Sequence, residues 1–227
     1  VSGELLTLNG SGVVFARIRM PRTGLWNADV KVDSSTVVTG GVTIATPDGS
    51  FSLKGTVVRA GIFDSTLSMR IVAGAGGFNK PLTAKSYQNV PVSVILKEIL
   101  TGVGETLSPT SDPAVTSSML AKWTRAADTA GRSLYRLLYN YATSFRVLND
   151  GTTWIGTDTF PNVPNVDFAL TERWFGEGRV VVKSQQPFIL PGTTLALPGF
   201  TGAPQKVSAV VHAIDKSNCK AEVYFEG

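Results

Sequence analysis

The chain has 227 residues, 43% of them apolar and only 17% charged, with a formal net charge of +4. That length supplies a core large enough for one large or two small domains without disulfide or metal staples, and the single cysteine, Cys219, has no internal partner. A charged fraction below the roughly 25% usual for soluble domains excludes the heavily solvated exterior of an ordinary monomer and implies surface buried against other subunits.

Val14, Ala16, Ile18 and Met20 alternate with Val13, Phe15, Arg17 and Arg19, which predicts a strand with a well-buried face before residues 21–24 break it. Trp26, Ala28, Val30 and Val32 alternate with Asn27, Asp29, Lys31 and Asp33 without a violation, so one side of a second strand faces a core and the other water. Residues 36–45 and 51–59 flank Pro47-Asp48-Gly49, a turn that sets φ, offers an acceptor and allows positive φ in succession; this is a hairpin. Leu67, Met69 and Ile71 give a fifth strand, ended by Gly74-Ala75-Gly76-Gly77. Five short strands with regular turns predict a small antiparallel barrel or sandwich over about residues 10–75.

Beyond Lys80-Pro81 the period changes. Val92, Ile95, Leu96, Ile99 and Leu100 form a stripe that predicts a helix over about residues 90–101, with Asn89 as cap, Pro91 in the first turn and Gly102 or Gly104 as stop. Residues 106–116 read as a loop in which Asp112-Pro113 opens a short helical turn. A second helix starts near Thr129, with Ala130, Leu134, Leu137, Leu138, Tyr141 and Phe145 on one side and Arg132, Arg136 and Asn140 on the other. The period then becomes two in Phe145-Arg146-Val147-Leu148, Asn149-Asp150-Gly151 turns the chain, and residues 152–155 return antiparallel. After a break at residues 161–164, short strands are predicted at 166–170, 179–183, 188–190 and 194–197. A terminal hairpin closes the chain, its apolar inner faces formed by Val207, Ala209, Val211 and Ala213 and by Cys219, Ala221, Val223 and Phe225. The predicted class is α+β, mainly β: two small antiparallel β-barrel domains, 1–85 and 161–227, with a helical insert and hairpin, 86–160, between them.

Little in this sequence carries reaction chemistry. The one histidine, His212, lies in the terminal hairpin and reads as a structural or interface residue; Cys219 alternates with Ala221 and Val223 on an apolar face, where a thiol is inert. No Cys/His spacing suits zinc, and Asp29, Asp33, Asp48 and Asp150 fall in no calcium-loop pattern, so no cofactor or metal is expected. Gly74–Gly77 precedes no Gly-Lys-Ser/Thr and reads as a strand terminator rather than a phosphate cradle. The four tryptophans are dispersed and read as core; a glycan-binding module would need Trp26 or Trp174 exposed in a shallow groove. Basic residues are scattered without a run, which argues against a nucleic-acid footprint, and no apolar run reaches the ~18 residues of a membrane span, so the chain reads as soluble without a membrane anchor. Arg125, Arg132, Arg136 and Arg146 gather around the second helix as a solvated face or a salt-bridging contact; with His212 they are the candidate subunit-interface residues.

Trp123-Thr124-Arg125, the helix through Leu134 to Tyr141, Phe145-Arg146-Val147-Leu148, Asp150-Gly151 and Trp154-Ile155-Gly156 together resemble the tail-hub proteins of contractile and some non-contractile bacteriophages, the phage Mu and T4 baseplate hubs among them. Leu190-Pro191-Gly192 followed by residues 207–214 with His212 is similar to the second barrel of those hubs, so the resemblance covers about residues 85–227; the chain is shorter than the larger hubs. The resemblance implies a non-catalytic ring, commonly trimeric, in the phage tail tip or baseplate and assembled in the host bacterial cytoplasm. Its implied partners are copies of itself, the tail tube or a distal tail protein, the central spike or fibre, and the tape-measure protein, with DNA only in passage through a lumen. A glycan-binding module of a fibre or secreted adhesin is the alternative, and a cell-wall hydrolase the third class.

Overall fold

The computed structural model describes residues 4–139, 141, 143–163, 168–184, 187, 189–197 and 204–226. Its first strands are β1 (Thr7–Leu8), β2 (Ser11–Pro21), β3 (Asn27–Asp33), β4 (Gly40–Ala45), β5 (Ser52–Phe63) and β6 (Thr66–Ala73). The five strands expected from alternation are all present. What closes them is the two-residue β1, which carries no periodic signal yet pairs with β2 on one side and β4 on the other. The order β1-β4-β5-β6-β3-β2 and back to β1 is a closed six-stranded antiparallel barrel. Closure removes the unpaired edges that β1, β2 and β4 would otherwise present. Inside it the alternating residues meet: Ala16, Ile18, Ala28, Ile44, Leu53, Leu67 and Ile71 have no exposed surface.

The middle of the chain adds β7 (Pro81–Leu82), β8 (Lys85–Pro91), α1 (Val92–Thr101), α2 (Pro113–Thr116), β9 (Met119–Arg125), β10 (Asp128–Thr129), α3 (Ala130–Tyr139), β11 (Ser144–Val147) and β12 (Thr153–Gly156). The stripe of α1 is fully buried, and its five residues contribute on the order of 10 kcal/mol of gross apolar burial. Asn89 is not its cap. It sits in β8 with φ of 49°, and Pro91, the last strand residue, serves as N-cap without a side-chain hydrogen bond. Proline suits that place because its missing N–H would have no helical acceptor. Asp112 does cap α2, accepting from the Ala114 N–H. The stripe of α3 buries Ala130, Leu134, Leu137 and Leu138, the helix ends at Tyr139, and Phe145 is already in the hairpin; Asn140 lies outside the described residues. The β11–β12 hairpin is antiparallel as expected; it sets Phe145 opposite Ile155 and turns at Gly151 with φ of 84°. The β8–β9 pair, Tyr87 opposite Trp123, spans α1 and α2 and has no counterpart in the sequence reading because neither strand alternates regularly between buried and exposed residues.

Last come β13 (Phe168–Trp174), β14 (Arg179–Ser184), β15 (Thr194–Leu195), β16 (Gln205–Asp215) and β17 (Cys219–Phe225). Of the strands expected at 166–170 and 188–190, residues 166, 167 and 188 lie outside the described residues, and Ile189 and Leu190 are not in a strand. β16 pairs with β2 over Ala209 to Asp215, so the C-terminal strands extend the barrel wall in the order β2-β16-β17-β14-β13, with β15 on the far part of β16. The terminal hairpin corrects one expectation. A bulge between Val207 and Ala209 shifts the alternation, so the buried face is Val207 and then Val210, His212 and Ile214, while Ala209, Val211 and Ala213 turn outward. One extra residue in a strand exchanges its faces. Two cores result: a large one shared by the barrel, the helices and Ile214 and Cys219, and a smaller one of Val180, Val182, Ile189, Leu195, Val207, Val210 and Val223.

Candidate assembly surfaces

Three contacts tie the barrel to the central layer. The Gly74–Gly77 loop does hold an anion, one supplied by the chain itself: the buried Glu105 carboxylate accepts from the Ala75 N–H at 3.0 Å and the Gly77 N–H at 2.8 Å. A Cβ on Gly74 would stand 2.4 Å from Glu105 Oε2, which explains the glycine. The β11–β12 turn docks on β5 through the Lys54 N–H donating to Asn149 O at 2.9 Å. The base of that hairpin meets the β2–β3 loop, where the Gly24 N–H donates to Phe145 O at 2.6 Å.

Where barrel, hairpin and C-terminal strands converge there is a cavity of about 530 Å³, lined by Met20, Trp26, Arg146, Trp154, Asp158 and Pro191 among others. The Asp158 side chain beside it is 1% exposed and ion-paired to Arg146, with Arg22 Nη1 3.6 Å from its second oxygen. Arg22 also reaches Glu226 at 3.2 Å, and the Arg146 guanidinium lies 4.3 Å from the Trp154 ring centre. Gly192 is required here: its φ is 83°, and a Cβ would meet Asp158 Oδ1 at 2.7 Å. One carboxylate between two guanidinium groups neutralises charge and fixes position.

The five candidate interface residues do not form one site. Arg125 is buried, donating from Nε to Thr83 O at 3.1 Å and facing Glu98 at 3.6 Å, which pins β9 to α1. Glu98 also accepts from Lys85 at 2.7 Å and from the Tyr87 hydroxyl at 3.1 Å. The Lys85 hydrogen bond holds the Glu98 carboxyl below its usual range, while burial, with the Glu98 hydrogen bond second, pushes Tyr87 up to about 12. Arg146 belongs to the junction. His212 is wholly buried, its Nε2 3.0 Å from Ile189 O and its ring 6.4 Å from Phe51, and burial pushes it down to about 4. Only Arg132 and Arg136 are at the surface, both near Asp128, on the outer side of α3 with exposed Tyr135 and Tyr139. Cys219 is buried opposite Ser184, and burial raises its thiol to about 11. Trp26 is 2% exposed and presents no stacking face, and the Arg179 guanidinium covers one face of the half-buried Trp174 ring, 4.1 Å from its centre. Among the described residues no group of three or more His, Cys, Asp and Glu side chains is placed to hold a metal ion.

Sequence reading passed over the surface that stands out most. Beyond Val57, β5 is paired only with β6, and this stretch carries Val58, Ile62 and Phe63, which are 54%, 42% and 85% exposed. At the other end of the same sheet β13 is paired, among the described residues, only with β14. An unprotected strand edge bearing exposed apolar side chains is a template for pairing with another chain.

This connectivity is found in solved structures. The chain has the fold of phage tail and baseplate proteins. Escherichia coli c3393, a component of the type VI secretion system with structural similarity to the T4 tail proteins gp27 and gp5, superposes with a TM-score of 0.67 at 12% identity over 98% of this chain and 77% of that one. The 43 kDa tail protein of prophage MuSo2 from Shewanella oneidensis gives 0.65 at 9% identity over 96% of both chains. A tail protein from Neisseria meningitidis gives 0.66 at 9% identity, covering 98% of this chain and 96% of that one. No protein-family model and no curated protein matches the sequence.

Proposed function

We propose that the chain is a structural, non-catalytic subunit of a phage tail tip or baseplate, forming a hub-type ring that joins the tail tube, or a distal tail protein, to the central spike or fibre. Its parts are an N-terminal β-barrel domain (1–85), a helical insert with hairpin (86–160) and a C-terminal β-barrel domain (161–227). The observation that carries this reading is the pair of open edges, distal β5 and β13, at opposite ends of one continuous sheet. Pairing of the two edges between neighbours is a heterologous contact, and such a contact gives a closed ring when its rotation closes. Three copies, each contributing a barrel and a second set of strands, make a collar with six similar sectors that matches a sixfold tube to a threefold spike. The exposed Tyr135–Tyr139 side of α3, outside the sheet, serves for neighbours such as the tape-measure protein.

Sedimentation of the purified chain tests this. A closed oligomer is expected, and Val58→Lys with Ile62→Lys, which charges the β5 edge, converts it to monomer with an unchanged circular dichroism spectrum. A parent protein that stays monomeric at high concentration and ignores tube and spike proteins overturns the reading.

A further inference from the structure

One face of the long sheet aligns charges that lie far apart in the sequence. Lys183 on β14 stands opposite Lys220 on β17, Lys220 opposite Ala213 on β16, and Ala213 opposite Arg17 on β2. Arg17 is opposite Asp29 on β3, Asp29 opposite Arg70 on β6, and Arg70 opposite Arg59 on β5. The row crosses seven hydrogen-bonded strands, roughly 29 Å measured along the sheet at the usual strand spacing, and follows the curve of the barrel across β2, β3, β6 and β5. It holds five cations and one carboxylate, all exposed or half-buried, on the side opposite the buried Ile18, Ala28, Ile71, Val182 and Ala221.

The one carboxylate is already engaged. Asp29 is 2.7 Å from Arg19 and 2.6 Å from Arg70; burial works against its charge, but the hydrogen bonds from the two arginines outweigh it and hold the carboxyl below its usual range. Among the described residues Lys183, Lys220, Arg17 and Arg59 make no ion pair, and the buried Arg17 Nε has no hydrogen-bond partner. Lys183–Lys220 and Arg70–Arg59 set like charges directly opposite each other, an arrangement that destabilises a sheet. An anion lying along the row relieves both pairs.

We infer that this row is a track for the phosphodiester backbone of nucleic acid, bound without regard to base sequence. A duplex presents one charge per ~1.7 Å of axis, so the stretch of the row from β14 to β2 alone, roughly 14 Å, faces several phosphates at once. Beside the cations, Ala213, Ser68 and Gly61 are small or polar, while Phe15 is next but one to Arg17 on β2 and lines a hollow with Asp29, Arg59 and Arg70. An acidic protein face would instead need buried aromatic or aliphatic anchors. The exposed large apolar side chains, Val37, Val58, Ile62, Phe63, Val94, Met119, Tyr135 and Tyr139, all lie off the row. The row itself consists of charged side chains and Ala213, which makes backbone charge the recognised feature. The inference rests on the row alone and not on ring closure.

Fluorescence anisotropy of a labelled mixed-sequence DNA duplex with the full chain, over a series of salt concentrations, is the test. With four to five phosphates engaged, the logarithm of affinity should fall against that of salt with a slope of about −4, on the order of 250-fold weaker binding for a fourfold rise in salt. Lys183→Gln, Lys220→Gln and Arg59→Gln should each reduce that slope by about one, and the triple variant should lose most binding, with circular dichroism unchanged. Arg132→Gln, on the outer side of α3, should bind as the parent does. Row variants that bind DNA like the parent overturn the inference. So does displacement of DNA by poly-glutamate at equal charge concentration, which assigns the row to an acidic protein. Sedimentation of the same samples reports oligomeric state separately, so failure of the ring and failure of the track are distinguishable.

Discussion

His212 shows how one residue couples burial to pH. It has no exposed surface, gives one ring nitrogen to Ile189 O, and leaves Nδ1 without a hydrogen-bond partner. Burial favours the neutral ring and pushes its pKa from about 6.5 in the unfolded chain to about 4. Between those values the unfolded chain binds the proton and the folded one does not, so folding stability rises with pH there. The contribution is complete above pH ~6.5 and is lost as pH falls toward ~4, up to roughly 3 kcal/mol in all. Urea midpoints across this window should fall with pH in the parent and fall much less in His212→Gln. Asp29, Glu98, Asp150 and Asp215 also have depressed pKa values, and what they contribute is lost only in more acidic solution.

Among elements, the α1 exit and the β6 exit depend on each other. Glu105 follows α1 and caps two backbone N–H groups of the loop that ends β6, so a strand terminator and a helix terminator share one carboxylate. Glu105→Ala leaves the buried Gly77 N–H and the half-buried Ala75 N–H without their acceptor, at a cost of about 2–3 kcal/mol. For a chain of this size that is a fall of about 5–10 °C in Tm, measurable by thermal denaturation. A change within scatter would mean that water replaces the carboxylate. Arg125 and Glu98 play the corresponding part between β9 and α1.

On the scale of the whole molecule the C-terminal strands are held to the rest by the β2–β16 ladder and by the Asp158 junction. Asp158→Asn removes the charge facing Arg146 and Arg22 and should cost about 1–3 kcal/mol, since the half-buried Arg146 then loses its charged partner. Trp154 lies against Arg146, so its fluorescence should change with the same substitution. Emission and stability like those of the parent would show that the ladder alone holds the halves together. An intact junction keeps distal β5 and β13 on one rigid sheet, which is what ring closure by those edges requires.

Periodicity and turn chemistry were enough to locate the barrel strands, α1, α3, the β11–β12 hairpin and the terminal hairpin, because each depends on sterics and burial within a window of a few residues. Residues 123–156 also carried enough local order for the resemblance to tail hubs. Tertiary structure alone decided how these pieces meet. It closed the barrel with a two-residue β1, paired β8 with β9, exchanged the faces of β16 through a bulge, filled the Gly74–Gly77 loop with Glu105, and aligned cations from five strands into one row. Each of these depends on register between segments far apart in the chain. Register is set by burial summed over the whole sheet, a quantity that no local window of the sequence contains.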